Sequence, residues 1–169
     1  TEIILESGER ETFDRVISAA HGDQSLYLLT SPTELETKIL SAFSYQSNKA
    51  ILHTDSQFMP QTKRCWASWN YRVDGDRHST IYWMNSLQGA TAKKDFFVSI
   101  NPSRRIPDEH IIKELEYDHP LFDLNSLAAQ KEVPKLNAAN TGRYFCGAWQ
   151  RFGFHEDGLW SAFRLCEQL

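Results

Sequence analysis

The sequence predicts an α+β fold: a mixed or antiparallel, aromatic-rich sheet with flanking helices. Three observations predict it. A capped amphipathic helix begins near Ser31, four β-type segments crowd the stretch from Gln46 to Asn101, and the chain closes on GRYFCGAWQRFGFHEDGLWSAFRLCEQL, a strand, a glycine turn and a helix. With 169 residues, 41% of them hydrophobic, the chain can bury a domain-sized core and is too apolar for a disordered segment.

TEIILESGERETFDRVISAA reads as a hairpin. Ile3 and Leu5 alternate with polar neighbours, Gly8 marks the turn, and Phe13 to Ala20 is the apolar returning strand. The period changes in TSPTELETKILSAF. Ser31 is the expected N-cap, Pro32 suits the first helical position, Glu34 completes a capping box, and Leu35, Ile39, Leu40 and Phe43 form the buried stripe.

QSNKAILHTD, KRCWASWNYRV, STIYWMNSLQ and KKDFFVSIN are the expected strands of the middle, and DGDR from Asp74 to Arg77 joins the second to the third as a hairpin. As a strand, the second segment turns Trp66, Ser68 and Asn70 to one face and Cys65, Ala67, Trp69 and Tyr71 to the other. Both faces then carry large aromatics, and both need covering by protein or by ligand. RIPDEHIIKELEYDHPLFD fits a short helix or an irregular strand, with a boundary at His119 because Pro120 biases it toward extended geometry. LNSLAAQKEV is a short helix ended by Pro134, and GRYFCGAW is a strand. Leu159, Ala162, Phe163 and Cys166, at i, i+3, i+4 and i+7, make the packed face of a final helix.

A net charge of −4 offers no attraction to nucleic acid or anionic lipid, although TKRCWASWNYR interleaves basic and aromatic residues as single-strand binders do. No apolar run reaches bilayer length, and no basic-then-apolar leader opens the chain. The expected partner is a small-molecule substrate, with neither nucleic acid nor membrane. Cys65, Cys146 and Cys166 are odd in number, lack ligand spacing and sit in apolar patterns, as in a reduced cytoplasmic protein. The chain starts at Thr1, already inside a strand, and so reads as a piece of something longer. His53 and Asp55 share a strand face; a metal or acid–base pair and a purely structural polar pair both remain open. His155, Glu156 and Asp157 are consecutive at a helix start and point in different directions, so no metal is expected there.

The closing stretch sets backbone amides and the positive end of a helix dipole at the carboxyl end of a strand. Gly147 and Gly153, without side chains, would let a planar or bulky ligand reach the backbone. The plain alternative is a helix whose first turn is acidic because Glu156 and Asp157 suit the dipole. Those carboxylates would repel a desolvated phosphate dianion by roughly a few kcal/mol. A ring edge that gains negative charge only during reaction, such as the pyrimidine edge of a flavin, is better matched.

RYFCGAWQRFGFHEDGLWSAF resembles the C-terminal FAD-contacting segment of flavin-containing amine oxidase-like proteins, where a strand ending in glycine leads through a turn to a helix facing the isoalloxazine. FDRVISAAHGDQSLYLL resembles the strand and exit helix by which such a chain leaves its FAD domain. ILHTDSQFMPQTKRCWASWNY, IYWMNSLQG and LEYDHPLFDLNSLAAQ are similar to a bacterial branch of amine oxidase-like oxidoreductases, so the resemblance covers nearly the whole chain. It implies an FAD-dependent oxidoreductase that transfers hydride from a small organic substrate to FAD. Residues 1–20 and 141–169 would be the last strands and C-terminal helix of a Rossmann-like FAD-binding domain, and 21–140 a substrate-binding domain. Gly147, Ala148, Phe154, His155, Glu156, Asp157 and Gly158 would contact the cofactor, the amides of Glu156 to Leu159 stabilising charge on its pyrimidine edge. Trp66, Trp69, Tyr82, Trp83 and His53 would line the substrate pocket.

Two departures qualify the resemblance. No G-x-G-x-x-G run is present, so an N-terminal dinucleotide-binding portion is a further expected partner. Gly147 is followed by Ala148 where amine oxidases proper carry Gly-Glu, so amine substrates are not implied. The rival expectation is a truncated or split chain that acts as a binding module without flavin.

Overall fold

The computed structural model describes residues 1–89 and 91–169. The chain opens with an antiparallel hairpin, β1 (Glu2–Ile4) and β2 (Arg10–Thr12), Glu2 facing Thr12 and Gly8 taking the left-handed turn at φ 85°. The return strand is therefore shorter than the expected 13–20. Val16–Ser18 forms a separate strand, β3, which pairs in parallel with residues 143–145.

Helices α1 (Gly22–Tyr27) and α2 (Glu34–Leu40) follow. Thr33, not Ser31, caps α2: its hydroxyl accepts from the Glu36 amide at 3.2 Å, and the Glu36 carboxylate accepts from the Thr33 amide at 2.7 Å. Two capping boxes overlap in TSPTELE. The second wins because it turns Glu36 inward, where Arg143 clasps it through Nε and a terminal nitrogen at 2.8 Å each. Ile39, Leu40 and Phe43 are buried as expected.

Then come β4 (Ser44–His53), β5 (Trp69–Asp74), β6 (Arg77–Trp83), the single-turn α3 (Met84–Leu87), β7 (Phe97–Ile100) and β8 (Ile111–Leu121). They form a five-stranded sheet in the order β5-β6-β7-β4-β8, with antiparallel pairing from β5 through β4. The Asp74–Arg77 turn closes the β5–β6 hairpin, Gly75 at φ 63°. KRCWAS does not join β5. Residues 63–65 make a 3₁₀ turn, and the Trp66 indole donates to the Pro60 carbonyl at 2.7 Å. The ambiguous segment becomes strand β8 and runs straight through His119–Pro120. A proline is tolerated there because β8 is an edge strand.

The last elements are α4 (Leu124–Gln130), α5 (Val133–Ala138), β9 (Arg143–Phe145) and α6 (His155–Cys166). Pro134 does more than end α4. It sits in the first turn of α5, where a missing N–H costs nothing. In α6 the expected packed face points outward: Leu159 and Phe163 are more than half exposed, and Asp157, Ser161 and Leu165 are buried instead. Side-chain hydrogen bonds, not apolar spacing, choose that face. None of the described helices is long and apolar enough to cross a membrane.

The chain divides into two compact units, residues 1–46 with 119–169, and residues 47–118. These limits lie well inside the expected 20 and 140. Helices α2, α4 and α5 fall with β9 because Ile39, Leu40, Phe43, Ala129, Val133 and Leu136 cluster with Phe145 and Trp149. The second unit is the sheet, its core made by Ile51, Ile81 and Phe97 under Phe58, Met59 and Ile106. The strand register sends Ala50, Leu52, Tyr82 and Val98 to the other face, along with Trp69 and Tyr71 of β5. That face is open: Trp69 and Tyr71 are 54% and 56% exposed. The sheet is thus an antiparallel, aromatic-rich one that the chain itself covers on a single side. With its flanking helices the architecture is α+β.

Candidate functional site

The first unit's candidate site begins where β9 ends. β9 has β3 on one edge; on the other, Asn137 takes the place of a strand, its carboxamide accepting from the Phe145 amide and donating to the Phe145 carbonyl, both at 2.9 Å. Cys146 donates to the Ser18 carbonyl at 3.0 Å, and Gly147 follows. The Gly147 amide donates to the Ser161 hydroxyl at 2.8 Å, and that hydroxyl donates to the Gly158 carbonyl at 2.7 Å. A Cβ at position 147 would lie 2.5 Å from Trp149 Nε1, so no other residue fits without displacing the indole. Trp149 is buried, donates to the Ala20 carbonyl at 3.1 Å and packs on Phe43 with ring centroids 4.6 Å apart. The approach expected for a planar ligand over Gly147 is filled by the chain's own ring.

The helix tip is shaped by Asp157. Its buried carboxylate accepts from the Phe152 and Phe154 amides at 3.2 and 3.1 Å, and Arg151 lies 3.6 Å away. The amides of Asp157 and Gly158 both turn back to the Phe154 carbonyl, at 3.0 and 3.2 Å. Leu159 is the fifth residue of α6, where an amide meets the carbonyl four residues earlier. Of the amides expected to face a ligand, Asp157, Gly158 and Leu159 are therefore already engaged. Those of His155 and Glu156 have no partner among the described residues. Around them Phe152 and Phe154 stand exposed, Phe154 at 70%, and a Cβ at Gly158 would meet only Ala148, at 3.9 Å. Gly153, at φ 85°, takes the left-handed turn beside Pro120 and Phe122.

The five residues expected to line a substrate pocket are not brought together. Trp66, Trp83 and His53 lie on the sealed side of the sheet, Trp66 edge-on to both Trp83 and Phe97, whereas Trp69 and Tyr82 lie on the open side. The Trp83 indole is spent on Asp95 at 2.9 Å. His53 is fully buried: Nδ1 accepts from the Asp55 amide at 3.2 Å, which places the proton on Nε2, 2.8 Å from the Ser99 hydroxyl. Burial depresses its pKa to about 4; Asp55 pulls the other way and His110 adds to the depression. A neutral histidine under Phe58 and Phe97 is a core group, and Asp55 caps the following 3₁₀ turn by accepting from Gln57 at 2.9 Å. Of the two readings of this pair, the geometry carries the structural one. Among the described residues, no three His, Cys, Asp or Glu side chains gather as a metal would require.

Sequence reasoning missed an apolar hollow of the second unit. It lies on the open side of the sheet, about 530 Å³ in volume, floored by Ala50, Leu52, Val98 and Leu115. Its signal was the alternation Lys113, Leu115, Tyr117, hidden while that segment fitted a helix as well as a strand.

No family model matches the chain, and no curated protein matches it significantly. Among solved structures the fold has a counterpart. The chain is similar to part of reduced UDP-galactopyranose mutase. The superposition has a TM-score of 0.56 at 13% identity, and it covers 88% of this chain but only 40% of the mutase. At that identity the likeness concerns the fold. In this chain strand β9 leads through the Gly147 turn to α6, whose first two amides are unspent.

Proposed function

We propose that this chain is the C-terminal portion of an FAD-dependent oxidoreductase of the amine oxidase-like kind, in which hydride passes from a small organic substrate to FAD. The observation that carries the reading is the parallel β3–β9 pair, with the Gly147 turn and α6 at the carboxyl end of β9. Parallel strands belong to wider α/β sheets whose ligands sit at the strands' carboxyl ends. A pair alone, with Ile17 of β3 48% exposed, is what the edge of such a sheet looks like. The mutase of similar fold supports the reading in a second way, since it is described as reduced, a state that agrees with redox chemistry.

The residues fit a flavin ring on one side of the tip only. The amides of His155 and Glu156, with Ala148, Gly158 and the exposed rings of Phe152 and Phe154, would hold it there. Gly147 and Asp157 shape the site instead: one admits Trp149, the other aims the tip. When bound, the flavin supplies the hydride acceptor. The chain's part is electrostatic: two unspent donors at the positive end of a helix oppose charge at the ring edge, each such donor being worth about 3 kcal/mol in a water-excluded site. Phe152 and Phe154 would do the excluding.

The test is the colour of the natural full-length product that carries this segment. A flavin spectrum in stoichiometric amount supports the reading; a colourless protein that takes up no FAD on titration overturns it. A binding module without flavin is the second reading, favoured by the Trp149 indole covering Gly147, and it predicts the colourless outcome.

A further inference from the structure

We infer that the open side of the second unit's sheet carries a pocket for a small carboxylic acid with an apolar body of about two rings. The inference stands apart from the flavin reading, because every residue it uses lies in residues 47–118.

The shape comes from the strands. Ala50 and Leu52 of β4, Val98 of β7 and Leu115 of β8 share one face, and their small or branched side chains leave a trough. Met84 and Phe96 wall it on one side. At about 530 Å³ it falls within the roughly 300–1,000 Å³ range of small-molecule sites, which are mostly apolar with a few polar groups that set orientation.

Those polar groups decide the ligand. The Asn85 carboxamide is spent on the backbone, accepting from Phe96 at 2.8 Å and donating to Lys94 at 2.9 Å. Lys113, Tyr117 and Gln88 are different: their side chains reach the rim and have no hydrogen-bond or ionic partner among the described residues. Among the described residues Lys113 is also the one charged residue lining the trough. A single ammonium over an apolar floor matches a monoanion. A phosphate dianion calls for guanidinium forks or several amides. In the arginine-rich hollow on the same unit three cations are in ion pairs, Arg104 with Asp74, Arg105 with Asp108 and Lys49 with Glu114, and Arg77 donates to the Ser103 carbonyl at 2.9 Å. Lys113 would hold the carboxylate, Tyr117 would donate a second hydrogen bond, and the ring system would lie on Leu52, Val98 and Leu115.

The probes are 2-naphthoic acid and its methyl ester, titrated into the chain without flavin and followed by calorimetry. The acid is expected to bind saturably and at least about tenfold more tightly than the ester, the worth of one charge-assisted hydrogen bond. Lys113→Met should bring the acid down to the ester's affinity and leave the ester unchanged; Lys113 is exposed, so the fold should survive, as circular dichroism would check. Ala50→Trp, which fills the trough, should weaken both probes. Equal affinity for acid and ester, an unaffected Lys113→Met variant, or no saturable binding of the acid would each overturn the proposal. None of these results depends on whether the full-length protein is yellow.

Discussion

The two compact units solve the same problem, a sheet with too few neighbours, in opposite ways. The 47–118 unit has five strands, seals one face with packed rings and leaves the other face wet. The unit built from 1–46 and 119–169 has strands of three residues and fills their missing partners with side chains. Asn137 imitates a strand beside Phe145, Gln130 reaches the Trp149 and Arg151 carbonyls, Ser161 holds Gly147, and Glu36 meets Arg143. A long ladder satisfies backbone groups cheaply; a short parallel pair must borrow polar side chains or leave backbone buried and unpaired. Unit one is therefore held by specific polar clamps and unit two by packing, and the clamps bring α6 to the end of β9.

The largest effect that would break this contrast is at the Glu36–Arg143 pair. Glu36 is buried, and burial pushes its carboxyl up; hydrogen bonds from the Thr33 backbone and from Arg143 outweigh that and hold it below the ordinary value. Arg143→Ala strands a buried carboxylate and should cost about 3–5 kcal/mol in denaturant unfolding. A loss below about 1 kcal/mol would mean the clamp is ornamental. Asn137→Ala comes next. It leaves the Phe145 amide without its partner and removes one donor from the carbonyl, which Gln150 still reaches at 2.8 Å, so about 1–3 kcal/mol is expected.

Acid separates the units. His53 titrates near 4 in the folded protein and near 6.5 unfolded. Between those values the unfolded chain binds the extra proton, so unit two loses stability as pH falls from about 6.5 to about 4, by about 3 kcal/mol in all. Glu36 acts lower: its carboxyl is depressed, so unit one keeps that contribution down to the ordinary carboxylate range and loses it only below. Hydrogen exchange at pH 5 and pH 7 should show β4 and β7 amides losing protection on acidification, and His53→Gln should flatten that dependence. Parallel losses in both units would defeat the contrast.

What was legible in the sequence follows the same divide. The Leu35, Ile39, Leu40, Phe43 stripe and the Asp74–Arg77 hairpin are local patterns, and both appear where expected. The face of α6 was not legible, because Asp157 and Ser161 face inward for hydrogen bonds while Leu159 and Phe163 keep the helical spacing on the outside. β3 is three residues long, too short to show any period, and its partner lies at 143–145. At the candidate site, Gly147 was legible as a place where, for want of a side chain, a ligand could reach the backbone. That Trp149 and not a ligand fills that approach is tertiary information. His53 looked the same in sequence whether it lined a pocket or filled a core; only the register of β4 against β7 decides which side it takes.

The smallest expected effect is on the open face. Val73 lies on an exposed stretch of β5, 60% accessible, next to the stacked Tyr71 and His78 rings. If unit two is held from its sealed side alone, Val73→Thr keeps the branched strand former, removes little buried surface and should change stability by less than about 0.5 kcal/mol. Phe97→Ala, on the sealed side of the same sheet, should cost about 3–5 kcal/mol. Because β5 lies at the opposite edge of the sheet from β8, the valine change should also leave naphthoate affinity at the Lys113 trough unaltered. A stability loss at Val73 approaching that at Phe97 would show that the open face is buried against something in solution, and the trough would then have to be reassigned as part of an interface.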